Sequence, residues 1–431
     1  MPSFEYFINY DGGALVAHSS NPFCTFFPTV GHFLLGKISM KPYLFADFLI
    51  FLLTTLLLLF FLRDLKENYF LGIILFFSVP QVVFNSFWSS CDSSVMLFAL
   101  ASFYSFFLYS KIKNKKLLII TSLFLTFTAM SRYWGIILLL PFFIYFLFNK
   151  KWRQMITILM MPIIITSLWL LRNYLEYKNP IYPLFPKIFD GKMVEGMKEY
   201  LEPRTPTLEL YKIWTIGSFK RFWLTFPLLF FFSTFAWDLK DPIKFIASTF
   251  VVLYIFAWLV QGLPSILGTI FPLLNVGLMY TGLGSKYFVV IIPFLIILSI
   301  KKFAKFYTKL NKYTKTLFLV LIFSISFIFL IRGKGNSIDS SIYLYQNFSK
   351  PYKELWEALL KVDIEQLKTF EALYSSNCSL ILTDETSRAR DLSQVINSGK
   401  ELRYISTWSE DVKTKEKADC LLINHSFTKI K

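Results

Sequence analysis

Ten continuous apolar runs cross the chain, at about 42–63, 68–84, 93–110, 117–131, 133–149, 154–171, 222–238, 243–261, 286–300 and 316–332. None shows the period-two alternation of a half-buried strand, so helices are expected throughout. A bilayer core is crossed by about 20 apolar residues, and only helices and closed barrels satisfy their backbones there. The shorter runs call for snorkelling flanks or local thinning. The pattern predicts an all-α polytopic transmembrane helix bundle of about 10–11 spans. The segment 264–281 is apolar but broken by Pro264, Gly268, Pro272 and Gly277, and reads as re-entrant or interfacial.

The polar stretches between the runs alternate in character. Residues 111–116 carry Lys111, Lys113, Lys115 and Lys116; 150–153 carry Lys150, Lys151 and Arg153; 301–315 carry six lysines. The intervening loops are poor in charge: 85–92 holds only Asp92, and 131–133 only Arg132. Short loops rich in Lys and Arg stay cytoplasmic. Counting spans from there places Asp11, Asp92, Arg132, the loop 172–221 and the C-terminal tail on the extracytoplasmic side of a cell membrane.

Three regions follow. Residues 1–41 form an outer N-terminal segment, with an interfacial helix at Asn21–Met40. Residues 42–332 are the membrane domain, including the proline-rich outer loop 172–221, whose length marks it as functional. Residues 333–431 change composition. Pro351–Ser375 reads as an amphipathic helix, Cys378–Thr383 as a strand, Ser387–Asn397 as a helix, and Leu402–Thr407 and Ala418–Asn424 as strands. That order predicts a small extracytoplasmic α/β domain. No internal repeat of the kind many transporters show is visible.

Composition adds two points. The chain is 55% hydrophobic with 50 Phe and a net charge of +17. The basic excess does not indicate nucleic acid, because residues 336–431 hold 13 Lys+Arg against 14 Asp+Glu, and the surplus sits in the short loops. Four Cys stand at 24, 91, 378 and 420 without a CxxC pair. A Cys378–Cys420 disulfide and two small buried thiols both remain open. Residues 1–20 are too polar for a signal peptide core.

Charged groups near the membrane interior default to functional hypotheses. Asp11, in Asn-Tyr-Asp-Gly-Gly, reads either as a solvated Asp-Gly turn or as a general base for an acceptor hydroxyl. Asp92, in Ser-Ser-Cys-Asp-Ser-Ser, reads as an N-cap, a site residue or both. Arg132 reads as an interfacial anchor or as a phosphate ligand, since guanidinium binds phosphate oxygens bidentately. Arg172 and Lys286 read as snorkelling cations when taken singly. Taken together they set several cations near two acids, which suits a lipid-linked phosphate.

The order of these positions resembles the GT-C-type, polyprenyl-phosphate-dependent membrane glycosyltransferases, the protein mannosyltransferase and aminoarabinose transferase relatives. The likeness runs over about 1–300. Asp11 and then His18-Ser-Ser-Asn-Pro-Phe-Cys-Thr-Phe-Phe-Pro correspond to that family's acidic first loop and its following His/Pro-aromatic stretch. Asp92 corresponds to a second acid opening a later helix, and Ser131-Arg132-Tyr133-Trp134-Gly135 to a Thr-Arg-Tyr-x-Gly step. Arg172–Pro183 matches Arg-Asn-Tyr…Gly-Asn-Pro-x-Tyr-Pro, with Lys178 where Gly is usual. Lys286–Pro293 matches an Arg-Tyr-leucine-rich-Pro step, with Lys for Arg. Relatives carry a transmembrane helix before the first-loop acid, so either the N-terminal tail here is translocated with the following span or an apolar run precedes Met1, and both stay open. Gly12 stands where many relatives have a second acid or polar group.

The resemblance implies transfer of a sugar from a polyprenyl-phosphate donor to a lipid, glycan or protein acceptor on the outer face. Asp11 and Asp92 would be the catalytic acids. Arg132, Arg172 and Lys286 would bind the donor phosphate. His18, Asn173, Tyr174, Tyr182 and Tyr287 would bind substrate. Direct displacement would invert the anomeric centre. No cofactor is demanded, and a divalent metal stays compatible. A lipid-linked sugar flippase or transporter, or a glycan polymerase or ligase, would use a similar basic outer pocket.

Overall fold

The computed structural model describes residues 40–79, 82–83, 91–180, 227–260, 285–331, 380–383, 401–404, 420–423 and 426–429. Among these the structure is mostly helical. The helices are α1 (Met40–Asp64), α2 (Tyr69–Phe77), α3 (Cys91–Ile112), α4 (Lys115–Ser131), α5 (Leu139–Phe148), α6 (Trp152–Tyr177), α7 (Pro227–Phe232), α8 (Pro242–Val260), α9 (Ile292–Lys309) and α10 (Lys312–Ile331). A 3₁₀ helix at Tyr133–Leu138 leads into α5, and another at Ser285–Ile291 leads into α9. Two of the described helices, Asp92–Ile112 and Trp152–Leu175, are long and apolar enough to cross a membrane. Trp134–Phe148 and Pro242–Ala257 are apolar but shorter.

α3 is the hub. Its Phe103 meets Phe294 of α9 at 4.5 Å, Phe142 of α5 at 5.6 Å and Phe250 of α8 at 6.4 Å between ring centroids. These edge-on and tilted pairs are the geometry aromatic quadrupoles prefer. On another face α3 forms a tight hairpin with α4. Helix α3 stops at Ile112, Lys113 turns left-handed at φ 60°, and Asn114 caps α4 by accepting from the Lys116 N–H at 3.0 Å. Small residues line the seam, among them Ala99, Ser102 and Ser105 on one side and Thr121 and Ala129 on the other, all buried. The Ser105 and Thr121 hydroxyls bond each other at 3.0 Å. Small and hydroxyl side chains let apolar helices approach closely where lipid supplies no hydrophobic drive. Buried hydroxyls of Thr54, Thr126 and Ser131 donate to carbonyls four residues back, which removes their desolvation penalty locally.

The lysine-rich loops gather at one end of α3. Lys111 Nζ donates to the Asp64 carbonyl at 2.6 Å, and Tyr104 OH donates to the Asp64 carboxylate at 2.7 Å. Glu67, in the α1–α2 loop, is pushed above the usual carboxylate range by burial, while nearby Lys301 and Lys244 pull it back. Asp92 lies 19 residues up the same helix from Lys111, about 28 Å away along the axis.

Among the described residues four apolar runs depart from plain helix, and run 68–84 does so where its helix stops at Phe77. Run 222–238 holds helix only at 227–232 among its described residues, and 233–238 has no regular secondary structure. Two of its backbone donors are met by other elements: Thr234 N–H bonds the Leu298 carbonyl at 3.0 Å, and Ala236 N–H bonds Ser248 Oγ at 3.0 Å. Non-helical backbone is tolerated at membrane depth where protein satisfies it in this way. Runs 133–149 and 286–300 each open as 3₁₀ helix rather than α.

The described residues of the C-terminal region form four short strands: β1 (Leu380–Thr383), β2 (Glu401–Tyr404), β3 (Cys420–Ile423) and β4 (Ser426–Lys429). They pair in the order β2-β1-β3-β4, with β1 parallel to β2 and β3, and β4 antiparallel to β3. The first three fall on the expected strands, and β4 was not anticipated. The helices expected at Pro351–Ser375 and Ser387–Asn397, and the position Cys378, lie outside the described residues. So do the interfacial helix Asn21–Met40, apart from its last residue, and the broken segment 264–281.

Candidate functional site

The end of α3 remote from the lysines carries a buried ion pair. Asp92 sits in the first helical turn, one residue inside the helix rather than at its cap. There the partial positive charge of the helix N-terminus favours a carboxylate. Its side chain is 1% exposed, and Arg132 Nη1 lies 3.2 Å from Oδ1. Arg132 is 28% exposed, so its guanidinium reaches from the buried acid toward the surface. Its planar fork of donors suits a second anionic partner at that exposed edge.

Arg132 is set by a sharp reversal between α4 and the first 3₁₀ helix. α4 ends at Ser131, Arg132 is extended at φ −160° and ψ 152°, and the Gly135 N–H returns to the Arg132 carbonyl at 2.8 Å. The reversal folds residues 133–138 directly onto the α4 backbone. A Cβ at Gly135 would lie 2.0 Å from the Thr128 carbonyl oxygen. The glycine of the Ser-Arg-Tyr-Trp-Gly step is therefore a packing requirement, a role the sequence pattern alone did not reveal.

Arg172 lies near the end of α6, which packs against α4. The Arg172 guanidinium rests 4.9 Å from the Trp169 ring centroid. That contact, one turn back on the helix, could have been found from the three-residue spacing.

The rest of the Arg-Asn-Tyr motif shapes the exit from α6. Asn173 is buried and donates from Nδ2 to the Pro180 carbonyl at 3.4 Å. Lys178 closes the helix in the left-handed region at φ 56°, its N–H bonding the Tyr174 carbonyl. Glycine adopts that conformation without strain, which accounts for its usual presence at this position in the pattern. Lys178→Gly is accordingly expected to stabilise the protein by about 0.5–1 kcal/mol, less a few tenths for the cation lost from the Tyr174 ring. Thermal unfolding in detergent measures this; a lower midpoint would show that the lysine has a further partner.

Lys286 and Tyr287 fall on the second 3₁₀ helix, which packs against α3. Asp92 and Arg132 are brought together by the α3–α4 hairpin, and the Lys286 position lies on an element packed against α3. The ring of Tyr174 is exposed. Asp11, His18 and Tyr182 lie outside the described residues. Among the described residues no group of three His, Cys, Asp or Glu side chains could hold a metal ion.

Residues 18–172 match the model of the dolichyl-phosphate-mannose-protein mannosyltransferase family, a GT-C-type family. The matched stretch contains His18, Asp92, Arg132 and Arg172; Asp11 and Lys286 lie outside it. The resemblance drawn from the ordered motifs is thus shown over that stretch. The family supports a membrane glycosyltransferase using a lipid-linked sugar donor. Comparison with curated proteins gave no match, and comparison with solved structures gave none.

Proposed function

We propose that this protein transfers a sugar from a polyprenyl-phosphate donor to an acceptor hydroxyl on the outer face of a cell membrane. The observation that carries this reading is the buried Asp92–Arg132 pair, inside the family-matched stretch and about 28 Å from the lysine-rich loops that the charge rule assigns to the cytoplasm. The whole helical body is read as a polytopic bundle, with the C-terminal strands belonging to a small extracytoplasmic α/β domain that shapes acceptor binding.

In this reading the donor phosphate docks on Arg132, with Arg172 and Lys286 as further cations. Asp92 holds the Arg132 guanidinium in its extended position before substrate arrives, so little reorganisation accompanies the reaction. The acceptor oxygen forms a bond to the anomeric carbon as the bond from that carbon to the phosphate oxygen breaks. The acceptor proton passes to a carboxylate, for which Asp11 is the choice, and polyprenyl phosphate leaves with the bonding pair. Displacement from the opposite face inverts the anomeric centre. Phosphate is a weak base, so its departure needs preorganised cations rather than a general acid.

The test is transfer in proteoliposomes containing the full chain, with radiolabelled polyprenyl-phosphate sugars and membrane extract as acceptor. The expected result is label in an acceptor with at least one donor. Label that crosses to the other leaflet without appearing in any acceptor would replace the transferase by a flippase. Asp11→Asn is expected to abolish transfer with folding intact; persistent transfer would move the base elsewhere.

A further inference from the structure

The described residues end α9 in a way that the transferase reading does not use. The first half of the helix, Ile292–Ile300, is wholly buried, and from Lys301 onward the character reverses. Lys301, Lys302, Lys305 and Lys309 are all exposed. At 100° per residue they fall within roughly a quarter turn of one another, while Phe303 lies buried on the packing side. The hairpin into α10 adds Lys312 and Lys315, and residues 301–331 contain no Asp or Glu. Tyr313 and Leu317, just past the turn, are 86% and 68% exposed. Among the described acids of neighbouring elements, Glu67 sits near Lys301, Asp241 is engaged by Lys244 at 3.0 Å, and Asp238 is exposed in the segment that follows α7.

The backbone at the same end points the same way. Three helices there finish on a lysine in the left-handed region, Lys66, Lys113 and Lys150, at φ 60°, 60° and 53°. Glycine would occupy these sites without strain. All three lysines are exposed. Each of these positions carries a charge despite the backbone preference, alongside a hairpin whose charge has no acidic counterpart of its own.

We propose that the α9–α10 hairpin is a binding surface for anionic phospholipid headgroups of the cytoplasmic leaflet. The lysine stripe would lie over the phosphates, with Tyr313 and Leu317 at the headgroup–acyl boundary. Juxtamembrane lysines gain attraction to anionic leaflets within a Debye length, and an aromatic-aliphatic pair beside them fits the interface. The proposal rests on membrane placement and on no transferase activity.

The test uses the purified full chain in mixed micelles, measuring how much phosphatidylglycerol it retains relative to phosphatidylcholine. Wild type is expected to prefer phosphatidylglycerol, and the preference should fall as salt rises. Lys302→Gln, Lys305→Gln and Lys309→Gln combined should weaken it, at about fivefold per lysine. The corresponding three Lys→Arg substitutions should keep it, with unfolding midpoints in neutral lipid unchanged in both variants. Equal retention of the two lipids, or a preference that survives the three glutamines, would overturn the proposal. So would displacement of the lipid by a soluble acidic peptide at comparable charge concentration, which would assign the surface to a protein partner.

Discussion

Arg132→Gln is expected to reduce sugar transfer by about 10²–10³-fold, the loss seen when one preorganised donor to a developing anion is removed. The same change leaves Asp92 buried without its guanidinium. Removing one partner of a buried pair costs about 3–5 kcal/mol, and the partial exposure of Arg132 brings the expectation here to roughly 2–3. Asp92→Asn should lower transfer too, since Arg132 would lose the group that orients it. A role in stability and a role in transfer can be separated by a double variant. Replacing both residues with apolar ones of similar volume, Asp92→Leu with Arg132→Met, is expected to recover most of the stability because no charge is left unpaired. It should recover none of the transfer. Unfolding midpoints and transfer rates across the four proteins decide the matter. If transfer returned with stability, the pair would be a structural tie alone and the donor phosphate would have to be held elsewhere.

The second large effect is expected from a single methyl group. Gly135→Ala would put a Cβ 2.0 Å from the Thr128 carbonyl oxygen and 2.6 Å from its carbonyl carbon. Both belong to the α4 backbone, which cannot move without breaking the helix that sets Arg132. A destabilisation of roughly 3 kcal/mol is expected, the upper end of overpacking costs, with loss of transfer as the 131–135 reversal opens. Gly72→Ala is the control. Its Cβ would come within 2.2 Å of a neighbouring atom, but that atom is Leu62 Cδ1, the far end of a flexible side chain. Leu62 can change rotamer, and alanine gains about 1 kcal/mol over glycine in a helix interior. Gly72→Ala should therefore stay near neutral. Thermal unfolding of the two variants side by side checks this. Equal destabilisation would show that the bare distance matters and the mobility of the obstructing atom does not.

The helices were legible in the sequence because a helix satisfies its backbone within its own segment, so a long apolar run carries the necessary information locally. Every apolar run contains helix among its described residues, and Asn68 and Asn114 mark two helix starts by accepting from the Leu71 and Lys116 N–H groups. The segregation of charge was legible for the same reason. The lysines lie in the short loops themselves, and the hairpin geometry brings Lys111 to Asp64 and sets Lys301 and Lys244 around Glu67. The candidate site was proposed from the order of Asp92, Arg132, Arg172 and Lys286 along the chain, and of these the structure joins Asp92 and Arg132 in an ion pair.

Tertiary structure decided how those residues are used. Asp92 and Arg132 are 40 positions apart and meet because the α3–α4 hairpin returns the chain to the level at which it started. No local pattern distinguishes that pair from a cap and an interfacial anchor. The requirement for Gly135 arises from a backbone seven residues away in a different helix. The non-helical stretch 233–238 is held in part by Leu298 and Ser248, which accept from Thr234 and Ala236, although its own apolar composition favours a continued helix. In each case the deciding contact comes from a different element of the fold. Propensity and periodicity describe what a segment prefers alone, while burial and hydrogen bonding reward what it can reach once folded.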